Sequence, residues 1–374
     1  MKEEIKKEML DEVISKFEIS GEVQSCQRYG NGHINDTFSL VCKETSGNRQ
    51  YILQKINRSI FKNPEQLMHN ISQVTDHLRS EIEKDAGDPL REVITIIPTK
   101  DKLSFYRDAL GDYWRMYLFI TDAICYEKAE TKDLFYQSAV AFGKFQKRLQ
   151  YFDASCLYEA IPDFHNTPLR YQRFLEVVEL DRMGRVKEAA LEIEFFIQKE
   201  KEMKLCKNYL DEKKLPLRVT HNDTKLNNVM IDKSTGKGIC VIDLDTVMPG
   251  LSIYDFGDSI RFGANTAEED ERDLSKVSLN LELFEQYTKG FLEGCEGSLT
   301  DTEIYLLPYG AKTMTLECGM RFLADYLEGD VYFKTHRDRQ NLDRCRTQIE
   351  LVRDMERKWK QIEQIMNQYL FNGD

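Results

Sequence analysis

The feature that most constrains this chain is a set of polar residues within 219–263, spaced around two short apolar runs. Asp223 and Asn228 lie five residues apart after the first run. Asp243 directly follows the second run, 239–242. Phosphoryl transfer requires a carboxylate that orients the attacking hydroxyl and accepts its proton, together with hard oxygen ligands for Mg²⁺. The spacing therefore predicts Asp223 as the general base and Asn228 and Asp243 as Mg²⁺ ligands, whereas a polar loop between two strands is the simpler alternative.

A second motif in this stretch, Asp255-Phe256-Gly257, spells the metal-binding motif of protein kinases. It does not follow the hairpin strand, because Asp243 already stands there. Residues 254–262 instead favour a helix that begins after a Met-Pro-Gly breaker. We therefore predict that Asp255 supports the backbone of the catalytic loop, as does His221, and that it does not bind the metal.

The same residues resemble those of known enzymes. The loop 221–228 and the strand end 242–245 (Ile-Asp-Leu-Asp) resemble the aminoglycoside phosphotransferase and choline kinase superfamily of small-molecule kinases. Within that superfamily, segments 217–228, 256–263 and 317–330 are similar almost word for word to the bacterial N-acetylhexosamine 1-kinases. The likeness covers nearly the whole chain and is far more specific than the catalytic loop alone.

The resemblance implies a bilobal, protein-kinase-like α+β fold, with a small antiparallel-sheet N-lobe over the nucleotide and a large helical C-lobe. The pattern changes from strands to helices near residues 121–131, so we expect the lobes at 1–122 and 123–374. The implied reaction is ATP- and Mg²⁺-dependent phosphorylation of a free N-acetylhexosamine at its anomeric hydroxyl. N-acetylglucosamine and N-acetylgalactosamine are the expected acceptors, and the products are the hexosamine 1-phosphate and ADP.

Two other functions stay open on the sequence alone. A kinase of the same fold would act on another small alcohol, such as a different sugar hydroxyl, an amino alcohol or an aminoglycoside. A non-catalytic nucleotide- or sugar-binding relative is the third interpretation. It is disfavoured because such proteins usually lose the base or a metal ligand, and Asp223, Asn228 and Asp243 are all present.

The nucleotide is expected to bind under a glycine-containing turn between two predicted strands, 21–29 and 36–42. Glycine has no side chain, so its backbone N–H group can approach a phosphate closely. A plain hairpin is the alternative, but the position of the turn before a third strand, 51–56, favours a role over the phosphates. The residues of this turn predicted to cover the nucleotide are Gly30, Asn31, Gly32 and Asn35.

The third strand departs from the superfamily, in which a Lys or Arg at this point pairs with the phosphates. The matching position is Gln54, and Lys55 lies on the opposite strand face. Either the register shifts by one and Lys55 reaches the phosphates, or an amide does so, and we favour Gln54. Phe119 and Thr121 end the last strand of the small sheet and mark the expected hinge for adenine, although a strand that simply reaches a turn would look the same.

The acceptor is expected beside a predicted helix, 301–325. Glu317, Arg321 and Asp325 are spaced four residues apart and therefore lie on one helix face. A surface ladder of ion pairs is the alternative. The apolar residues around them indicate a half-buried face, and buried charges need a partner or a ligand. Sugar hydroxyls, which both donate and accept hydrogen bonds, would be such a ligand.

The resemblance adds detail to this acceptor site. It implies that Arg321 and Tyr332 bind the sugar. The other residues predicted to contact the sugar are His33, Asp223, Asp243 and Glu317. Asp245 is expected to assist either the metal or the sugar, and His165 is either a structural histidine or a substrate contact.

Composition narrows the class of partner. The 374-residue chain has a net charge of −12, which argues against nucleic acid or an anionic membrane, because both require a basic protein face. Its nine cysteines form no Cys-x-x-Cys pair, and no secretory signal or apolar run of membrane-spanning length is present. We therefore expect a cytoplasmic protein that binds neither nucleic acid nor a membrane. The resemblance implies that its partners are ATP and a small sugar.

Periodic apolar residues predict the remaining elements. The expected strands are 93–97, 104–106 and 113–120, and the expected helices are 6–17, 134–152, 183–210, 279–294 and 344–368. No internal repeat or low-complexity tract interrupts this order.

Overall fold

The computed structural model of the protein describes residues 6–30, 34–45 and 47–370. Its N-terminal part is built on a five-stranded antiparallel sheet with the strand order β1-β2-β3-β5-β4. These strands are β1 (Glu22–Arg28), β2 (Asp36–Glu44), β3 (Gly47–Lys55), β4 (Tyr106–Arg107) and β5 (Tyr113–Leu118). Because side chains alternate along each strand, the sheet has two distinct faces.

Both faces of this sheet are covered. Leu53 and Trp114 are buried on one face, against the N-terminal helix α1 (Lys7–Ile14). Tyr117, on the opposite face, belongs to the larger core that includes the helix α2 (Pro64–Lys84). A short helix, α3 (Pro89–Glu92), follows α2. The residues on the α2 face therefore point toward the rest of the molecule, which matters for the site described below.

The segment 93–97 does not form the predicted strand. It lies beside β5 and makes two backbone hydrogen bonds with it, but its contribution to the sheet is one isolated bridge between Ile96 and Tyr117. The segment begins where α3 ends and is followed by Pro98, which lacks the N–H that would continue the ladder. The strand β5 lies within the predicted strand 113–120, whereas β4 shares only Tyr106 with the predicted strand 104–106.

The C-terminal part is mainly helical. Its helices are α4 (Lys132–Arg148), α5 (Thr167–Leu180), α6 (Ala190–Gln198), α7 (Glu200–Asp211), α8 (Ser252–Gly263), α9 (Leu281–Cys295), α10 (Asp301–Glu328), α11 (Gln340–Arg357) and α12 (Trp359–Leu370). Short strands lie among them, namely β6 (Ala123–Ile124), β7 (Arg218–Thr220), β8 (Val229–Asp232), β9 (Gly238–Val241) and β10 (Met248–Gly250). The hairpin of β8 and β9 is extended by β6, and β7 pairs with β10.

Two stretches predicted as single helices are interrupted. The predicted helix 183–210 corresponds to α6 and α7, which meet at Lys199, and 344–368 corresponds to α11 and α12, which meet at Lys358. Both lysines leave the helical backbone geometry. Lys199 forms an ion pair with Glu356 of α11, and Lys358 donates to a backbone carbonyl just before α9. These contacts join residues far apart in the chain, and local periodicity does not report them.

The helices α8 and α10 approach so closely that only glycine fits between them. A Cβ atom on Gly257 would lie 2.5 Å from the backbone of Gly310, and one on Gly310 would lie 2.1 Å from the Ile253 carbonyl oxygen. Phe256 packs against three aromatic rings of α9. Phe256 and Gly257 of the Asp-Phe-Gly motif are therefore packing residues that fix α8 within the helical core.

A sheet-based N-terminal lobe and a helical C-terminal lobe together confirm the predicted bilobal α+β fold. The predicted lobe boundary at residue 122 lies just before β6, whose partner β8 belongs to the C-terminal part. That boundary stays a prediction. None of the described helices contains an apolar stretch long enough to cross a membrane.

Candidate active site

The catalytic loop lies between β7 and β8, and Asp255 of α8 holds its backbone. The Asp255 carboxylate accepts hydrogen bonds from the backbone N–H groups of His221 and Asn222, each at 2.8 Å. Asn222 has a left-handed backbone with φ of 64°, so its N–H group needs this fixed acceptor. Burial raises the pKa of Asp255, and these two hydrogen bonds partly offset that rise. The Asp255 carboxylate thus bonds the backbone of the catalytic loop, which is the supporting role predicted for it.

His221 connects the loop to the following hairpin. Its ring is fully buried against the rings of Phe142 and Phe145. Its Nε2 atom lies 2.9 Å from the carbonyl oxygen of Ile242, at the end of β9. A rigid histidine therefore sets the distance between the loop and the residue that follows Ile242, which is Asp243.

Asp223 lies at the mouth of this arrangement with 29% of its side chain exposed. The side-chain amide of Asn228 donates to the Asp223 backbone carbonyl at 2.8 Å. Lys225 forms an ion pair with the Asp223 carboxylate at 2.7 Å. Burial would lower the pKa of Lys225, but the charges of Asp223 and Asp258 raise it, so the lysine is a cation at the edge of the site. A carboxylate that is oriented, charged and open to solvent can accept a proton from a bound hydroxyl.

Asn228 and Asp243 face the same region from the two strands of the hairpin. The backbone N–H of Ile242 donates to the carbonyl of Asn228 at 2.9 Å, which places the two residues side by side. Asp243 has a left-handed backbone, with φ of 60°, and is exposed. Among the described residues, its carboxylate has no hydrogen-bond or ion-pair partner. Although the carboxylate is accessible, the protein around it limits its hydration, and this desolvation together with the charges of Asp245 and Asp223 raises the pKa of Asp243 to about 6. A cation bound there would offset both effects.

The donor set fits a magnesium ion held jointly with a nucleotide. Within the described residues, no group of three or more His, Cys, Asp or Glu side chains is arranged to hold a metal by itself. Mg²⁺ in kinases usually takes one or two protein oxygens and completes its shell with phosphates and water. The Asn228 amide uses its nitrogen for Asp223, which leaves its oxygen for such a ligand role beside the unpaired Asp243 carboxylate.

On the nucleotide side, Gly30 and Asn35 flank the predicted covering turn, and Gly30 has a positive φ of 73°. Asn31, Gly32 and His33 lie outside the described residues. At the predicted hinge, the Phe119 ring lies 5.9 Å from the Tyr29 ring. Among the described residues, neither the Phe119 carbonyl nor the Thr121 N–H has a hydrogen-bond partner. These two groups are two residues apart and are available to an adenine edge.

The third strand presents Gln54 to the catalytic hairpin and Lys55 to the other face. Lys55 forms an ion pair with Asp112 at 2.5 Å and lies over the Trp114 ring, against the α1 side of the sheet. Gln54 accepts a hydrogen bond from Nε of Arg115, its direct partner on β5, at 2.9 Å. Arg115 therefore places a cation on the cleft side of the sheet, and no motif in the sequence singled it out.

Asp245 does not lie open to a metal or sugar as expected. It is buried and forms an ion pair with Arg115 at 2.5 Å. Its second oxygen accepts a hydrogen bond from the Asn35 side chain at 2.7 Å. Alternation along an extended strand would put Asp243 and Asp245 on one side, but Asp243 is left-handed and a 3₁₀ turn follows it, so the two carboxylates diverge.

The acceptor side is anchored by Glu317, which is completely buried on α10. Its carboxylate lies 2.8 Å from Nδ1 of His165 and accepts a hydrogen bond from Thr167 at 2.6 Å. The other ring nitrogen of His165 lies 3.4 Å from the carbonyl of Asn222, next to Asp223. Burial would raise the pKa of Glu317, but His165 and two nearby arginines lower it to about 2. Glu317 is thus a satisfied anion that positions His165 rather than a free ligand.

Arg321 lies one helical turn beyond Glu317 and is surrounded by aromatic rings. Its guanidinium carbon is 5.5 Å from the Phe164 ring centre, 5.8 Å from that of Tyr332 and 5.5 Å from that of Phe333. It has no ion pair or hydrogen bond to any described residue. Tyr332 itself is 61% exposed. The predicted sugar-binding pair, Arg321 and Tyr332, is therefore brought together and left open to a ligand.

Asp325, the third acidic or basic residue of the predicted helix face, has a structural role. Its carboxylate accepts hydrogen bonds from the backbone N–H groups of residues 331–333 and from the Asn341 side chain. It therefore holds the turn that carries Tyr332 and Phe333. No oxygen of Asp325 is left over for a sugar, which corrects the expectation that all three helix residues offer groups to the substrate.

Several residues of the site were not identified from the sequence. Lys225 stands two residues after Asp223, a spacing that was available as a signal. Arg115, Phe164 and Phe333 had no such signal, because each reaches the site only through packing of distant segments. His165 was weighed as either structural or substrate-facing, and its contacts link Glu317 to the catalytic loop.

Comparison with known proteins agrees with this geometry. The chain matches the model of the phosphotransferase enzyme family over residues 25–279, more than half its length. Its fold is similar to that of a microcompartment-associated aminopropanol kinase, with a TM-score of 0.59 and 15% identity over 95% of this chain and 98% of that one. It is also similar to an amicoumacin kinase in complex with AMP-PNP, Ca²⁺ and Ami, with a TM-score of 0.57 and 11% identity over 92% and 93% of the two chains.

A third solved structure, the choline kinase from Cryptosporidium parvum Iowa II, has a TM-score of 0.54 and 12% identity, over 93% of each chain. At these identities the likeness to the solved structures establishes the fold alone. The family match is independent of them, and it spans the covering turn, the catalytic loop and the hairpin. The chain belongs to the phosphotransferase enzyme family and has the bilobal fold of its small-molecule kinases.

Proposed function

We propose that this protein is an N-acetylhexosamine 1-kinase, which transfers the γ-phosphoryl group of ATP to the anomeric hydroxyl of a free N-acetylhexosamine. N-acetylglucosamine and N-acetylgalactosamine are the proposed acceptors. The products are the hexosamine 1-phosphate and ADP. The reaction is proposed to require Mg²⁺.

The observation that carries the choice of a neutral acceptor is the environment of Arg321. A kinase for an amino alcohol must bind a cation, and proteins bind such cations in aromatic cages or beside free carboxylates. Here the rings of Phe164, Tyr332 and Phe333 surround the protein's own guanidinium. The buried carboxylate one helical turn before Arg321, Glu317, already accepts its own hydrogen bonds. A cationic substrate would meet the positive charge of Arg321, which has no direct ion-pair partner among the described residues, whereas sugar hydroxyls accept hydrogen bonds from it.

The acetamido group and the anomeric hydroxyl rest on the sequence resemblance. The segments that resemble the N-acetylhexosamine 1-kinases include 317–330, which contains Arg321, and 217–228, which contains Asp223. Structural neighbours act on amino alcohols and antibiotics, as their names indicate, so the fold supports the reaction type and leaves the acceptor to the residues of the site.

In the proposed mechanism, Asp223 orients the acceptor hydroxyl and takes its proton as the oxygen attacks the γ-phosphorus. The Asn228 amide keeps the Asp223 backbone in place. Lys225, 2.7 Å from the Asp223 carboxylate, places a positive charge beside the developing negative charge of the transferred group. Arg321 is proposed to hold the acceptor ring against this base, and His165, bonded to Glu317, supports the catalytic loop beside it.

The nucleotide is proposed to lie between the two lobes. Adenine would bond the Phe119 carbonyl and the Thr121 N–H, and residues 30–35 would cover the phosphates. Asn228 and Asp243 would hold Mg²⁺, which supplies charge neutralisation for the β- and γ-phosphates. The remaining tasks of orientation and proton transfer belong to the side chains named above.

A coupled ADP-release screen tests the proposal directly. The panel contains free N-acetylhexosamines, glucose, galactose, ethanolamine, choline and an aminoglycoside, and ³¹P NMR identifies the phosphorylated position. N-acetylated sugars should give much higher kcat/KM than their plain counterparts, because a site built to bond an acetamide leaves polar groups unpaired without it. Methyl glycosides, whose anomeric oxygen is blocked, should not be phosphorylated.

The screen also separates the alternatives. Turnover of methyl glycosides at the rate of free sugars would exclude the anomeric position and keep the kinase. Preferred turnover of ethanolamine or choline would reject the neutral acceptor. Absence of Mg²⁺-dependent ADP release with every acceptor would indicate a binding protein that retains the fold.

A further inference from the structure

The two carboxylates at the end of the hairpin have opposite surroundings. Asp243 is exposed and has no partner among the described residues. Asp245 is only 4% exposed, and both of its oxygens are engaged. Oδ1 lies 2.5 Å from Nη1 of Arg115, and Oδ2 accepts a hydrogen bond from Asn35 Nδ2 at 2.7 Å. One carboxylate is available to a ligand, and the other is committed to the protein.

The partners of Asp245 come from the other lobe. Arg115 belongs to β5 of the N-terminal sheet, and Asn35 immediately precedes β2, at the end of the covering turn. The Asn35 side chain also accepts a hydrogen bond from the backbone N–H of Asn57, and Asn57 in turn donates to the carbonyl of Ile34. The end of the turn is thereby tied both to the segment after β3 and to the catalytic hairpin.

Arg115 is itself held in a single orientation. Its Nε donates to Gln54 on β3, and Gln54 donates to the Thr37 hydroxyl on β2 at 3.0 Å. The guanidinium carbon lies 5.2 Å from the centre of the Tyr117 ring. With 2% of its side chain exposed, Arg115 is shielded from solvent and is aimed at Asp245 by three neighbouring strands.

We propose that Asp245, Arg115 and Asn35 form an interlobe junction that fixes residues 34 and 35, the described end of the covering turn, against the catalytic hairpin, and that Asp245 is a positioning residue rather than a ligand of the metal or the sugar. This inference deepens the proposed function and rests on it. The three residues are called the Asp245 junction below.

The physical case for the junction is the cost of separating its charges. A buried ion pair that loses one partner leaves an uncompensated charge in a low-dielectric environment, so the two lobes stay joined while both charges are present. Gln54, the neutral residue on the third strand, is used to orient Arg115. Arg115 thus connects the lobes. If residues 34 and 35 were released from the hairpin, only the fraction of molecules with the joined arrangement would bind the nucleotide tightly.

The test uses the full chain and three variants, Arg115→Met, Asp245→Asn and the double variant. The matched control is Lys55→Met/Asp112→Asn, which removes an ion pair of the same 2.5 Å length from the opposite face of the same sheet. Calorimetry measures ADP affinity at saturating Mg²⁺ and separately the Mg²⁺ concentration needed for half-maximal binding. Hydrogen exchange reports the protection of residues 34–45.

Each single variant should bind ADP about 5- to 150-fold more weakly, the usual range of coupling between two sites. Exchange over residues 34–45 should accelerate, and the Mg²⁺ requirement should stay unchanged. In the active enzyme the loss should fall on KM for ATP and not on KM for the acceptor. The control variant should alter none of these quantities.

A higher Mg²⁺ requirement in Asp245→Asn, with normal ADP affinity in Arg115→Met, would overturn the proposal and make Asp245 a metal ligand. If a single variant does not fold, the double variant decides, because it leaves no buried charge. A double variant with wild-type ADP affinity and exchange would also overturn the proposal. Failure of the proposed function can be told apart from failure of the junction. A wild-type protein that is inactive on all sugars still yields the ADP-binding and hydrogen-exchange results. If ADP does not bind, hydrogen exchange alone decides the role of the junction.

Discussion

The catalytic loop with its hairpin and the acceptor wall are built in different ways. In the loop and hairpin, the backbone of the catalytic loop is held by Asp255, and the Asn228 amide bonds Asp223, so these contacts stay within one stretch, 219–263. The acceptor wall consists of the loop 161–166, α10 and the turn 331–333, which meet only in the folded chain. The residues that would carry out the reaction are thus close together in the sequence, whereas the residues that would select the acceptor are brought together by tertiary packing.

This difference has a chemical counterpart. The catalytic loop and its hairpin, called the catalytic half below, are rich in carboxylates. Desolvation and then the charges of Asp245 and Asp223 raise the pKa of Asp243. The acceptor wall, called the acceptor half below, leaves a cation, Arg321, open to a ligand and buries a carboxylate, Glu317. A bound metal and the phosphates would balance the first half, and a neutral acceptor suits the second.

The largest effect should come from Asp243→Ala, which removes the unpaired carboxylate of the catalytic half. Loss of a metal ligand removes charge stabilisation worth several kcal/mol, so we expect kcat/KM to fall by about 10³-fold or more. The Mg²⁺ concentration required for ATP binding should rise. Steady-state kinetics with titrated Mg²⁺ measure both quantities.

The contrasting variant is Asp255→Ala. It leaves two buried backbone N–H groups without an acceptor, at a cost of roughly 1–3 kcal/mol each. Its main effect should therefore be a lower midpoint of thermal unfolding, with a normal Mg²⁺ dependence in the protein that remains folded. Normal Mg²⁺ dependence in Asp243→Ala together with lost metal binding in Asp255→Ala would reverse the two assignments.

Asp223→Asn should have the next largest effect. It preserves size and removes the proton acceptor, and loss of a general base typically lowers the rate by about 10²–10⁴-fold. Nucleotide affinity should stay close to that of the wild type, because Asp223 faces the acceptor. A variant that kept more than roughly a tenth of wild-type kcat would contradict the assignment, since the loss would be far smaller than that of a general base.

The sequence indicates which residues of the catalytic half lie near one another for a physical reason. The strand ends, the loop length and the turn at 234–236 bring Asp223, Asn228 and Asp243 together through local geometry, and each appears in the sequence at a spacing with a chemical meaning. The two-lobed fold follows from the same resemblance and from the change of periodicity. Asp245 shows where such reasoning ends, because the left-handed backbone at Asp243 turns it away from the expected side.

The acceptor half and the lobe contacts could not be predicted in the same way. Arg115 contacts Asp245 across 130 positions of the chain, and Phe164 reaches Arg321 across 157. The break at Lys199 likewise depends on Glu356 of a distant helix. Periodicity reports which face of an element is buried, but it does not identify the partner on the other side.

Arg321→Ala tests the acceptor half and should have an intermediate effect. Hydrogen bonds from a charged donor contribute about 1.5–3 kcal/mol, so kcat/KM for every sugar should fall by roughly 10- to 150-fold. ADP affinity should be unaffected. The matched control is Arg353→Ala on α11, where an exposed arginine lies over the Phe195 ring. Increased turnover of ethanolamine or choline in Arg321→Ala would support exclusion of cations by this residue, whereas unchanged sugar kinetics would remove it from the site.

The smallest effect should come from Tyr332→Phe, which deletes one hydroxyl at the open edge of the acceptor wall. A neutral hydrogen bond is worth about 0.5–1.5 kcal/mol, so we expect kcat/KM to fall by only about 2- to 13-fold, mainly through KM for the sugar. Tyr332→Ala removes the ring that lies beside Arg321 and should cost more. Tyr151→Phe, at a tyrosine that is 87% exposed, serves as the control. If Tyr332→Phe were neutral and Tyr332→Ala were impaired, the ring would act by holding Arg321 and the hydroxyl would not contact the sugar. Specificity in this half would then depend on how the aromatic residues orient one cation, which is the sharpest contrast with a catalytic half whose carboxylates act directly.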